Sequence, residues 1–141
     1  MAARAEADYP DETCGLLFGR GLDLEVVPME NIQNRMHRDF PDVYTRDARR
    51  AYMFDAKELE RVLNEKEKAS APLRAVYHSH PDEDSYFSEM DSEAAAPFGE
   101  PNPPGAVYLV FSVRKKKVVD LKEFDWSAGA GRFREVALEL V

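Results

Sequence analysis

The sequence predicts a mixed α/β fold, a curved mixed sheet packed against one to three helices. Three observations carry that prediction. The run Ala106–Val113 is continuously apolar over a strand's length, the pattern of a central strand covered on both faces. Asp55–Ser70 repeats Leu59, Val62 and Leu63 on one helical face above a Glu/Lys-rich wet face. Between them lie short strand-like runs bounded by glycine, proline and charged turns. With 141 residues, 44% hydrophobic and 33% charged, the chain suits one domain, residues 1–141, with a real core.

The elements follow in order. Ala2–Ala7 is rich in Ala and Glu and favours a helix, which Asp8-Tyr9-Pro10 breaks because a residue before proline is pushed out of the helical region. Thr13–Phe18 reads as a buried strand, Gly19-Arg20-Gly21 as a turn, and Leu22–Met29 as the hairpin partner. Asn31–Tyr52 is polar, with Pro41 inside and a basic cluster at Arg35, Arg38, Arg46, Arg49 and Arg50; it reads as a long loop with one short helical piece. His37 lies in that loop and is expected to be solvated. Asp55 and Glu58 cap the long helix, and Ser70-Ala71-Pro72 ends it and feeds the strand Leu73–Tyr77. A helix over 88–96 stops at Pro97, and Phe98–Gly105 is a loop. Ala106–Val113 and Val118–Trp126 form an antiparallel hairpin around the basic turn 114–117, and Phe133–Val141 alternates as a last edge strand.

The chemistry concentrates in His78-Ser79-His80-Pro81-Asp82-Glu83-Asp84-Ser85-Tyr86-Phe87-Ser88-Glu89-Met90-Asp91. Strand residues i and i+2 share a face, so His78 and His80 project together. Pro81 cannot continue a central strand, and the chain is expected to turn off there. Ser88 then opens a helix that carries Asp91 one turn in. Two imidazoles and one carboxylate are the protein ligand count of a catalytic zinc, with one position open. Each piece has a plainer use. Ser88-x-x-Asp91 is also a capping box, and paired histidines can be core residues. Both uses can hold at Asp91, the backbone N–H serving the cap and the carboxylate the metal. Two of only three histidines sharing a strand face just ahead of a carboxylate favours the metal reading. Glu12, at the start of the first strand, taken alone reads as an exposed charge. Cys14 reads as a small buried core residue rather than a nucleophile.

His78-Ser79-His80-Pro81, six residues, then Ser88-x-x-Asp91 resembles the JAMM (MPN+) motif of zinc metalloproteases, the Mov34/PAD-1 and JAB family. Pro10-Asp11-Glu12-Thr13-Cys14-Gly15-Leu16-Leu17 matches that family's upstream Pro-x-Glu-x-x-Gly-Leu-Leu setting. Both motifs occur in the right order, and the resemblance spans about Tyr9 to Trp126. It is closest to the small bacterial and archaeal members. What it implies is an MPN-like (cytidine-deaminase-like) fold and a Zn²⁺ held by His78, His80 and Asp91. Glu12 would be the general base and then general acid, and Ser88 Oγ the hydrogen-bond donor to the tetrahedral oxyanion. The implied substrate is the amide or isopeptide bond after the C-terminal Gly-Gly of a ubiquitin-like or sulfur-carrier protein. The family usually begins with a longer helix, often preceded by a strand, so an N-terminal element here is expected to be shortened or missing.

Other classes are bounded by composition. A net charge of −8 argues against nucleic acid, which needs a basic face. No apolar run is long enough for a membrane span, and Met1–Asp8 lacks the apolar core of a signal peptide. One cysteine excludes an internal disulfide framework and suits a reducing compartment, so a cytoplasmic protein is expected. Monomer and homodimer both stay open. Two alternatives also stay open: a non-catalytic MPN-type scaffold for a ubiquitin-like partner, and a two-histidine, one-carboxylate Fe(II) oxygenase, whose chemistry has no need of Glu12.

Overall fold

The computed structural model describes residues 1–138. Six strands form one mixed sheet in the order β2-β1-β3-β4-β5-β6: β1 (Cys14–Arg20), β2 (Asp23–Met29), β3 (Leu73–Pro81), β4 (Val107–Arg114), β5 (Lys117–Ser127) and β6 (Arg132–Val136). β3 and β4 run parallel, and every other neighbouring pair is antiparallel. The parallel pair requires a crossover, and α4 (Glu89–Ala95) lies in it. The other helices are α1 (Ala2–Asp8), α2 (Gln33–Asp39) and α3 (Ala56–Lys68).

Alternation along the central strands divides the core between the two faces. Cys14, Leu16, Phe18, Val76, Tyr108 and Val110 pack with Val62 of α3 and Ala95 of α4. Ala75, Tyr77, Leu109, Phe111 and Val113 pack on the other face with Ala5 of α1. Phe87 stands over Tyr108, Phe124 and Phe133 at centroid distances of 5.0–5.2 Å and anchors the entry to α4. Asp55 caps α3 through the Glu58 N–H, as expected from the Asp-x-x-Glu spacing.

Several local expectations shift. β1 continues through Arg20, leaving Gly21-Leu22 as the turn, because Gly19 adopts a φ of +120° and keeps pairing opposite Leu24. β3 continues to Pro81 although it is central. Its β1 neighbour has already ended near Ser79, so the missing proline N–H faces no partner strand, while β4 pairs along the other side as far as Val113. The 31–52 segment carries α2, and His37 sits half-buried on it with Nδ1 2.7 Å from the Tyr44 carbonyl, not in a solvated loop. The last strand ends at Val136; Leu138 lies beyond it, and Leu140 lies outside the described residues. No helix among the described residues is long and apolar enough to cross a membrane.

Candidate metal centre

The parity that divides the core also builds the site. On β3, Val76, His78 and His80 share the α3/α4 face, and on β1 the same face takes Cys14, Leu16 and Phe18. Glu12 extends that even-numbered series by one step. Ser79, pointing the other way, accepts a hydrogen bond from the Thr13 N–H at 2.8 Å, and its own N–H donates to the Thr13 carbonyl. This buttress ties the start of β1 to β3 and brings Glu12 Oε1 to 3.8 Å from His80 Nε2. Gly15 is needed nearby for a steric reason: a Cβ there would sit 2.2 Å from the Tyr77 hydroxyl oxygen.

His78 and His80 are almost fully buried, with their Nε2 atoms 3.1 Å apart. Asp91 Oδ2 lies 3.1 Å from His78 Nε2 and 3.3 Å from His80 Nε2. The capping box forms as well, but not divided as expected. Ser88 Oγ accepts from the Asp91 N–H, and the same Asp91 Oδ2 that faces the imidazoles accepts from the Ser88 N–H, each at 3.0 Å. One oxygen therefore serves both cap and site. Since the cap uses only a lone pair of Ser88 Oγ, its proton remains available for donation.

Backbone contacts orient these groups. His80 Nδ1 donates to the Asp84 carbonyl at 2.9 Å, which leaves Nε2 as the lone-pair nitrogen of the neutral ring. The acidic turn 82–85 is exposed at Asp82, Glu83 and Asp84, yet it is firmly tied. The Asp82 N–H donates to Val113, Tyr9 to Asp82, Arg114 to Asp84, Ser112 Oγ to the Glu83 carbonyl and buried Ser85 to Asp120. His78 stacks on Tyr52 at 4.6 Å. Glu12 donates its N–H to the Ala48 carbonyl at 2.7 Å and accepts at its own carbonyl from Asn31 Nδ2 at 3.0 Å. Asn31, Gln33 and Asn34 together pin residues 46–53 against the Glu12 segment.

The electrostatics are those of two buried carboxylates beside two buried imidazoles. Burial, then the Asp91 charge, pushes the Glu12 carboxyl well above the ordinary range, with Arg46 opposing. Burial would also raise Asp91, but His78, His80 and the Ser88 N–H outweigh it and hold that carboxyl far below its usual value. Burial pulls His78 down; at His80 it does the same, but Asp91 and the Asp84 carbonyl prevail and leave it raised. The counter-charge for Asp91 must thus be a proton on the imidazoles or a cation among them. Donor spacings of 3.1–3.3 Å fit the cation: a tetrahedral centre with ~2.0–2.1 Å bonds separates its ligands by ~3.3 Å. Glu12, His78 and His80 also place one donor atom each within 4.8 Å of one another, and buried Glu12 Oε2 has no hydrogen-bond partner among the described residues. Two nitrogens and a carboxylate oxygen suit zinc.

The site opens into a polar cleft of about 590 Å³ lined by Glu12, His80, Ser88, Asp91, Tyr86 and Arg46, among others. A second, apolar cavity of about 500 Å³ lies between α3 and α4 and reaches Asp91 but none of the histidines. All five residues singled out in the sequence thus border one locus. The supporting residues Asn31, Gln33, Asn34, Ser79, Ser85 and Ser112 were not singled out. Ser112 did carry a signal, as a hydroxyl inside the otherwise apolar run 106–113.

The family described as prokaryotic homologs of the JAB domain matches residues 1–127. A CysO-cysteine peptidase of Mycobacterium tuberculosis is 29% identical over 131 residues, covering 92% of this chain and 78% of that protein. A desampylase of Haloferax volcanii is 29% identical over 135 residues, covering 96% and 84%. Among solved structures, a solution structure from Desulfitobacterium hafniense aligns with a TM-score of 0.65 at 24% identity, covering 95% of this chain and 81% of that one. One from Salinibacter ruber aligns with a TM-score of 0.59 at 22% identity, covering 96% and 82%. Those two likenesses concern the fold.

Proposed function

The chain belongs to the family of prokaryotic homologs of the JAB domain, and on that premise we propose that it is a zinc-dependent metallopeptidase. Its proposed substrate is the amide or isopeptide bond after the C-terminal Gly-Gly of a ubiquitin-like, sulfur-carrier-type protein. The observation that carries the reading is the convergence of His78 Nε2, His80 Nε2 and Asp91 Oδ2 at 3.1–3.3 Å, with Glu12 Oε1 3.8 Å from His80. The names of the two relatives, a peptidase and a desampylase, support hydrolysis of this class.

His78, His80 and Asp91 would hold the zinc, which would supply Lewis-acid activation of water and of the scissile carbonyl. The rest falls to the chain. Glu12, kept basic enough by burial to accept a proton, takes it from the attacking water and passes it to the leaving nitrogen. Ser88 Oγ donates to the carbonyl oxygen as negative charge develops there, a type of contact worth ~3 kcal/mol where such donors have been removed. The Asp84 carbonyl and the Ser88 N–H hold His80 and Asp91 in register throughout. The polar cleft admits an extended tail past Tyr86.

The test is a three-variant comparison with metal analysis. Glu12→Gln should keep the metal and lose hydrolysis, whereas His80→Ala and Asp91→Ala should lose both. Full zinc occupancy in the His80→Ala protein would overturn the ligand assignment. Undiminished turnover by Glu12→Gln would overturn the proton-transfer role. Mass spectrometry of ubiquitin-like adducts, with and without chelator, identifies the bond that is cut.

A further inference from the structure

Arginine is a prominent part of the cleft wall. Arg46, Arg49 and Arg50 line it together with Glu12 and His80, and with the carboxylates Asp82, Glu83 and Asp91. Residues 46–50 carry three arginines against one aspartate, a local reversal of sign in a chain of net charge −8. The guanidiniums of Arg46 and Arg50 form no ion pair among the described residues, and Arg49 reaches Asp47 only at 4.0 Å. The wall is also rigidly built. The Arg46 carbonyl accepts from the buried Gln33 amide at 2.8 Å, the Ala48 N–H donates to Asn34 at 2.8 Å, and the Ala48 carbonyl receives the Glu12 N–H. The backbone that carries the arginines is therefore held by the same clamps that hold the Glu12 segment.

We propose that Arg46 and Arg50 form a subsite for a free α-carboxylate on the leaving side of the scissile bond, so that the preferred leaving group is a single amino acid. This rests on the hydrolytic reading above and narrows its substrate. An α-carboxylate lies two bonds from the leaving nitrogen, so its partner must stand beside the proton donor. Arg46 and Glu12 line the same cleft, and the Arg46 charge acts on Glu12. Guanidinium is suited to the task because its planar fork pairs with a carboxylate in bidentate fashion. A lysine ε-amine inside a protein chain brings no carboxylate that close. In the reaction, water adds to the carbonyl carbon and the C–N bond breaks. The proton carried by Glu12 goes to the nitrogen, releasing a Gly-Gly carboxylate and a free amino acid.

The experiment compares acetyl-Gly-Gly-alanine with its carboxamide, which differ only in that charge. The zinc-loaded protein should prefer the free acid by about tenfold in kcat/KM, as one charge-assisted pairing provides. Arg46→Gln/Arg50→Gln should bring the ratio to near one, and Arg46→Lys/Arg50→Lys should restore part of it. Equal rates with the two peptides, or a ratio that survives the glutamine pair, overturns the subsite. If neither peptide is cut, the hydrolytic reading is what has failed. Calorimetry of the same peptides on the Glu12→Gln protein then decides the subsite: tighter binding of the acid upholds it, and equal or absent binding overturns it. Should the glutamine pair lose affinity for an intact ubiquitin-like protein while the two peptides behave alike, the arginines dock an acidic protein surface and the proposal falls.

Discussion

Replacing Asn31 by alanine should loosen Glu12 without touching its side chain. The Asn31 amide donates to the carbonyls of Glu12 and Ala51 at 3.0 and 3.2 Å, and its oxygen accepts from the Gln33 and Met53 N–H groups at 3.1 Å each. Glu12 and Ala51 are buried, so each carbonyl stripped of its donor costs about 1 kcal/mol or more. The two N–H groups add less, because Asn31 is only half-buried and water reaches them. The sum is about 2–3 kcal/mol, or a fall in Tm of roughly 10 °C for a domain of this size. Activity should drop between about ten- and a hundredfold in kcat, since a base displaced by less than a residue's width transfers protons poorly. Bound zinc should stay at wild-type stoichiometry, because none of the three proposed ligands is touched. Urea denaturation, metal analysis and steady-state kinetics on one preparation separate these effects. Asn31→Asp sharpens the test: it keeps the acceptor but aims a second carboxylate oxygen at two carbonyls, and should be no better than alanine. A wild-type-like Asn31→Asp protein would refute the idea that the two donated bonds hold Glu12 in place.

Three further outcomes are expected. Gly15→Ala puts a Cβ 2.2–2.6 Å from the ring of the fully buried Tyr77, and should cost about 3 kcal/mol in urea denaturation; Tyr77→Leu in the same chain should recover part of it. Ser79→Ala leaves the buried Thr13 N–H without its acceptor, costing about 1–3 kcal/mol, and should lower kcat while zinc stoichiometry holds. The Cys14 thiol is pushed up to about 12, by burial first and then by the Glu12 and Asp8 charges. It stays protonated across the neutral range and forms the reactive thiolate only as pH climbs towards that value. At pH 8 a thiol reagent should therefore label it only as fast as the chain unfolds, and rapid labelling of the native protein would contradict its burial.

What was legible in the sequence is what has a short period. Strand residues two apart share a face, and residues three apart at a helix start form a cap; these locate His78 with His80, and Ser88 with Asp91, before any tertiary contact is known. The class of fold follows from the same periods, through the apolar run at 106–113 and the helical spacing of Leu59, Val62 and Leu63. What stayed hidden depends on pairings distant in the chain. Nothing local tells that Ser79 meets Thr13, that the Asp84 carbonyl orients a ring four residues back, or that Pro81 escapes the strand rule because β1 stops before reaching it. Glu12 is the instructive case. Its position alone marks an exposed charge, and only the registry of β1 on β3, enforced by Ser79, makes it a buried carboxyl beside His80. The arginines repeat the lesson with the opposite sign. As a string they read as a solvated loop, and they become part of the cleft wall only because Gln33 and Asn34 fold 46–50 back onto the segment that leads from Glu12 into β1. Polar side chains bonded to backbone, rather than apolar contacts, are thus what converts two separate sequence motifs into one site. The prediction for Asn31 is the direct test of that conversion.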